Sequence, residues 1–329
     1  MNQEFEDRRN FLKSAAVLGA AGAAGVSGCA QLPTSGNAMK NTYDPFARYE
    51  VVVSETEFRR TAKGRQLMAR IYRPQGAGPF PVVLDLHGGA WSRSSLQDCD
   101  ARDRVLAASG LVVAAIDFRH GNDGHIACMN DINYFVRWFK ANAKRFNGNP
   151  AKFGMSGTSS GGHLAMLSSM RPNDPRYTTI PLPAGSPNVD ASAQAIVMQW
   201  PVINPISRYR HALRLRDSAN PPAWIGDIPE RQVGYWGGEA GMIEGNPIRI
   251  LEEGEKVPLP PTLWIQGQPD QTHDYRDPES PVPWNEPLRF SLNYRKAGGF
   301  IETLYIDQET KVGMPSHGPT ADFFHRYLG

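Results

Sequence analysis

Charge of one sign is largely missing from this sequence. Its 35 Lys and Arg residues nearly balance 33 Asp and Glu, for a formal net charge of +2. No basic stripe or Lys/Arg run stands out, which argues against nucleic acid as the main partner. Long apolar runs are missing too. No stretch of about 20 apolar residues occurs, so no membrane-crossing helix is expected. Cysteine is scarce, with three in 329 residues. If Cys29 is spent on a lipid, an even pair is left, Cys99 and Cys128. Neither spacing nor motif decides between a disulfide and two thiols. What is present is ordinary for a globular core: 40% hydrophobic and 21% charged residues. The length allows one large α/β domain or two small ones.

The first residues have a different character. "DRRNFLKSAAVLGAAGAAGVSGCA" has a basic start, an Ala/Gly middle and a small-residue end, the layout of an export signal. Arg8-Arg9-Asn10-Phe11-Leu12-Lys13 resembles the twin-arginine signature, with Asp7 where Ser or Thr is usual. Val26 to Cys29 resembles a bacterial lipobox, which implies cleavage before Cys29 and lipidation of its thiol. An ordinary signal peptide with a chance cysteine is the alternative. The expected organisation is a signal over 1–28, a lipidated Cys29 and polar tether over 29–48, and one domain over 49–329. The expected location is exported, periplasmic or anchored to the cell envelope.

From Tyr49 onward, short apolar runs alternate with helical patterns. "YEVVVSETEF" and "QLMARIYRP" read as an antiparallel pair. "FPVVLDLHGG", "LVVAAIDFR", "AKFGMSG", "QAIVMQWPV", "PTLWIQG" and "FIETLYID" read as strands. Helical patterns separate them, for example Ile132, Phe135, Val136 and Phe139 in "NDINYFVRWFKANAKRF". The expectation is a mostly parallel central sheet with helices on both faces. Between about 203 and 259 the rhythm lapses into Pro, Trp, Tyr and Arg. That stretch reads as a small cap inserted above the strand ends. Irregular edge packing is the alternative.

Within "FGMSGTSSGGHLA", Phe153 to Ala165, a strand-turn-helix elbow needs glycine two places before and two after an exposed serine. Ser156 and Ser160 fail that test, and Ser159, between Gly157 and Gly161, passes. A random chain of this composition would match so short a pattern roughly 0.2 times, so the context matters: a strand precedes and a helix follows. "HGGAW", His87 to Trp91, follows a buried strand. Gly88 and Gly89, with the N–H of Ser160, are candidates to receive the negative charge that acyl transfer builds on a carbonyl oxygen. Asp270 lies on a turn beyond a later strand, with Asp274 and Asp277 as competitors. His317, in the loop after the last strand, is the expected base. His273 is set aside as too close in sequence to Asp270 to reach Ser159. Trp91, Trp200 and Trp236 are candidates to line a substrate pocket, with packing within the cap as the equal alternative.

These motifs resemble the α/β-hydrolase superfamily. The branch is that of bacterial carboxylesterases and lipases, related to hormone-sensitive lipase and to feruloyl or acetyl esterases. The resemblance rests on His87-Gly88-Gly89-Ala90-Trp91, Gly157 to Gly162 and "DFRHG", Asp117 to Gly121. Two departures are Ala90 in place of a third glycine and Ser160 in place of a frequent alanine. The resemblance implies an α/β-hydrolase fold with a cap, and a serine hydrolase that cleaves carboxylic esters through an acyl-enzyme. Ser159, His317 and Asp270 would act together, without cofactor or metal. The implied partners are a small or polymer-linked ester and, through Cys29, a membrane. An amidase or peptidase on the same fold is the runner-up, followed by a non-catalytic binding protein.

Overall fold

The computed structural model describes Asp44, residues 46–307 and residues 314–329. The expected export signal, Cys29 and most of the expected tether lie outside these residues. The described residues form an eight-stranded sheet in the order β1-β2-β4-β3-β5-β6-β7-β8. β1 (Val51–Arg60) and β2 (Gln66–Pro74) pair antiparallel, and β2 runs antiparallel to β4 (Val112–Ile116). From β4 across, all pairings are parallel, through β3 (Phe80–Leu86), β5 (Gly148–Thr158), β6 (Ala195–Gln199), β7 (Thr262–Gln268) and β8 (Ile301–Asp307).

The central strands are apolar without alternation because both faces are covered. In β3, Val82, Leu84 and Leu86 pack into a core that holds Phe135, Leu164 and Trp264, while Val83 joins Val113, Val197, Ile265 and Phe324 on the other face. The first face is covered by α2 (His125–Asn142) and α3 (Ser160–Met170). The second is covered by α1 (Asp100–Ala108) and α9 (Met314–Leu328). α8 (Glu286–Lys296) precedes β8 and buries Phe290 and Tyr294 in the first core.

Between β6 and β7 the chain runs through four short helices: α4 (Pro205–Arg216), α5 (Ile228–Trp236), α6 (Glu239–Glu244) and α7 (Pro247–Glu252). Three of the prolines that interrupt the sequence rhythm here, Pro205, Pro229 and Pro247, stand at helix starts. Pro205 and Pro247 are first residues, and each follows an asparagine whose side chain caps the turn: Asn204 accepts from Ser207 N, and Asn246 from Ile248 N. A first-turn proline loses no hydrogen bond, because that N–H has no partner within the helix.

Another boundary differs from the sequence reading. His317 was expected in a loop, but α9 begins at Met314 and holds His317 in its first turn, in spite of Pro315, Gly318 and Pro319.

Candidate active site

β5 ends at Thr158, and Ser159 makes the corner before α3. Its backbone, at φ 55° and ψ −118°, is one that side chains rarely adopt. Three main-chain bonds hold it there. Ser159 N–H donates to Gln199 O at 2.9 Å, and Ser159 O accepts from Val202 N at 3.1 Å and His163 N at 3.2 Å. The flanking glycines are steric necessities. A Cβ on Gly157 would stand 2.3 Å from Gly161 C, and one on Gly161 would stand 2.0 Å from Leu86 O. Ser156, by contrast, is buried inside β5.

The loop after β3 lies directly against this corner. A Cβ on Gly88 would approach Thr158 O to 2.9 Å and Ser159 Cβ to 3.3 Å. Gly89, at φ 90°, closes a turn with its carbonyl accepting from Ser92 N and Arg93 N at 3.1 Å. Ser160 ties the two segments together, since its hydroxyl accepts from Trp91 N at 3.1 Å. Gly88, Gly89 and the first helical residue Ser160 thus converge beside the Ser159 hydroxyl.

The structure brings His273, and not the expected His317, against Ser159. His273 Nε2 lies 3.0 Å from Ser159 Oγ, and His273 Nδ1 lies 2.9 Å from Asp270 Oδ2. The three-residue separation that seemed too short is what makes the pairing fit. After β7 the chain curls into a turn, with Asp274 N donating to Asp270 O at 2.8 Å. Residues three apart then share a face. One imidazole spans the remaining gap, one nitrogen to each partner. Asp270 is buried and also accepts from Thr272 N at 3.0 Å, His273 N at 3.3 Å and Gln266 Nε2 at 3.3 Å. Arg208 of α4, itself buried, donates to Thr272 O. The competing carboxylates are engaged elsewhere: Asp274 accepts from Gln268 and Asn285, and Asp277 lies 3.4 Å from Arg214.

His317 is at the site but bonds to neither partner. It lines, with Gly88, Gly89, Ser159, Arg102, Trp200 and others, a cavity of about 300 Å³ beside Ser159. Among the described residues its Nδ1 has no hydrogen-bond partner. Burial, with the Arg102 charge next, pushes its imidazole below the ordinary histidine range.

Of the candidate pocket tryptophans, Trp200 lines this cavity. Trp91 and Trp236 do not line it. Each is 2% exposed and they meet at 5.4 Å, with Tyr235 stacked on Trp91 at 5.9 Å. Trp91 Nε1 donates to His163 Nδ1 at 3.2 Å, and His163 Nε2 faces Gly245 O at 2.8 Å. Burial pushes His163 down to about 4, so it stays neutral and fills this bridging role. The knot joins the loop after β3 to α3, to α5 and to the residue after α6. Indole N–H groups need a partner when buried, and a histidine four residues past the elbow was the sequence signal for it. Cys99 and Cys128 are both free thiols.

Comparison with known proteins agrees with this architecture. The model of the BD-FAE family matches residues 70–277. The chain belongs to that family. Among curated relatives, Esterase LipC of Mycobacterium tuberculosis is 37% identical over 125 residues, which is 36% of this chain and 29% of that protein. The probable carboxylic ester hydrolase LipM of the same species is 30% identical over 149 residues, 44% of this chain and 31% of that protein. The matched part thus spans about a third of these relatives' own length. Among solved structures, a bacterial heroin esterase superposes with a TM-score of 0.65 at 18% identity, over 85% of each chain. Est2 of Thermogutta terrifontis superposes at 0.61 and 21% identity, over 84% of this chain and 92% of that one. The shared fold is that of α/β-hydrolases.

Proposed function

We propose that this member of the family hydrolyses carboxylic esters through an acyl-enzyme on Ser159. His273 accepts the hydroxyl proton at Nε2 as Ser159 Oγ attacks the ester carbonyl. Asp270, ionised and acceptor-only, keeps the imidazole proton on Nδ1 and offsets the charge of the imidazolium. The N–H groups of Gly88, Gly89 and Ser160 receive the oxyanion. His273 returns the proton to the leaving alcohol and then takes one from the water that releases the acid. The observation that carries this reading is the continuous contact from Ser159 Oγ through His273 to Asp270, at 3.0 Å and 2.9 Å. The ester activity named in the relatives supports the same reading. So does the strained corner, which holds one hydroxyl out of the strand.

A panel of chromogenic esters of graded acyl length, with arylamides beside it, tests the reaction class. Ester turnover that falls by about 10⁴ or more in Ser159→Ala is expected. Turnover confined to arylamides would move the reading to an amidase. A fluorophosphonate probe should label Ser159, and labelling of Ser156 or Ser160 instead would overturn the site.

A further inference from the structure

We propose that Arg102 is a positioning residue for the nucleophile: a buried guanidinium that locks the ends of three strands beneath Ser159. The inference rests on the reading of Ser159 as the attacking group. A guanidinium carries five N–H groups in one rigid plane, and the structure accounts for all of them. Nε donates to Asp85 Oδ2 at 2.8 Å and Nη2 to Asp85 Oδ1 at 2.8 Å, a bidentate pair with β3. Nη2 also donates to Cys99 Sγ at 3.1 Å. Nη1 donates to Thr158 Oγ1 at 2.7 Å and to Gln199 Oε1.

Those acceptors are not scattered. Asp85 lies three residues before Gly88. Thr158 is the residue before Ser159. Gln199 is the residue whose carbonyl accepts the Ser159 N–H at 2.9 Å. One side chain therefore grips the residue before the serine, the side chain of the residue whose main-chain carbonyl holds the serine, and the strand that leads to Gly88 and Gly89. Gln199 passes the connection on, donating from Nε2 to Thr320 Oγ1 of α9 at 3.3 Å. Nothing else described crosses β3, β5 and β6 at this level with side-chain hydrogen bonds to all three.

Arg102 also lines the cavity beside Ser159, which invites a second role as an anion site. The saturated fork argues against it, since no N–H is left for a substrate carboxylate. The charge is already matched by Asp85, and the neighbouring Asp103 is buried beside that pair. Burial, then the Asp85 charge, pushes Asp103 well above the usual carboxylate range. What the arrangement supplies is geometry. Positioning of a reacting group is sensitive, with a shift of about 1 Å costing on the order of 10² in rate.

Lysine keeps the charge opposite Asp85 and loses the fork, so Arg102→Lys is the first test. We expect kcat per titrated active site to fall about 10- to 100-fold, with KM within about threefold, and fluorophosphonate labelling of Ser159 to slow by the same factor. Thr158→Val removes a single acceptor and leaves the buried ion pair intact. It should cost about 3- to 10-fold in the same two readouts, and it decides the matter if Arg102→Lys does not fold. A lower melting temperature with wild-type kcat per active site and wild-type labelling in both variants would overturn the proposal. So would a wild-type preference for hemisuccinate over butyrate esters that Arg102→Lys abolishes, because Arg102 would then bind substrate. Labelling of a different serine in the wild-type protein would instead bring down the underlying reading of Ser159.

Discussion

Two imidazoles stand beside Ser159, one from the turn after β7 and one from the start of α9, and only the first is connected. His273 bonds to the serine on one side and to a carboxylate on the other. His317 shares the cavity and is buried, and among the described residues its Nδ1 has no hydrogen-bond partner. The contrast separates nearness from function. An imidazole becomes a base only when its second nitrogen is fixed, because otherwise neither tautomer nor ring angle is set.

The sharpest way to break this comparison is to exchange the losses. His273→Ala should lower kcat/KM for a good ester by about 10⁴ or more, while His317→Ala should stay within about tenfold of wild type. A reversed order would return the role to His317. Next in size, Asp270→Asn should cost roughly 10²–10⁴ in kcat without unfolding the protein. Asp274→Asn and Asp277→Asn, whose carboxylates face away into other bonds, should leave kcat within about fivefold. A damaging Asp274→Asn with a silent Asp270→Asn would place the acid elsewhere on the turn.

A third effect concerns stability behind the connected loop. Glu286 is 4% exposed, accepts from Ser207 Oγ at 2.8 Å and Asn204 Nδ2 at 3.1 Å, and is pushed up to about 7 by burial. A carboxyl whose folded pKa is raised favours the fold most below its unfolded value. That contribution is lost as pH climbs through about 7. Glu286→Gln should therefore flatten the fall in stability between about pH 4.5 and 7, by on the order of 3 kcal/mol in chemical denaturation. An unchanged slope would mean that the group is already solvated. The smallest effect is expected at the thiols. Cys99 and Cys128 are free, and burial pushes both thiols up, so they should resist alkylation in the native protein. Both should label after denaturation without reductant, with activity unchanged by reductant within about twofold.

Much of the frame was legible because it is local. Continuous apolar runs bounded by glycine mark β3, β4 and β5. The elbow is written in Gly157 and Gly161, whose spacing follows from two backbones nearly touching. His273 was not legible in the same way. Its reach to Ser159 depends on the curl of the chain after β7, and nothing in "PDQTHDY" encodes that curl as strongly as a glycine encodes a close approach. Proline misled at the start of α9, because one residue breaks a helix interior and suits its first turn. Trp91 and Trp236 were offered to the substrate because aromatic content shows that a surface is apolar, not which side of a helix faces the cavity.

Asp270 and His273, the proposed acid and base, share one turn, and this bears on how the protein can breathe. β8 is the last strand of the sheet, half exposed along much of its length and paired on one side to β7. Edge strands of this kind open more readily than the interior. If the imidazole came from beyond β8, each opening would carry the base away from the serine. Here, among the described residues, bonds that orient His273 lie within residues 266–274 and reach Arg208 of α4. Amide hydrogens along β8 should therefore lose protection under mild denaturant or warming that leaves ester turnover intact, and a simultaneous loss of both would show that the turn depends on that edge after all.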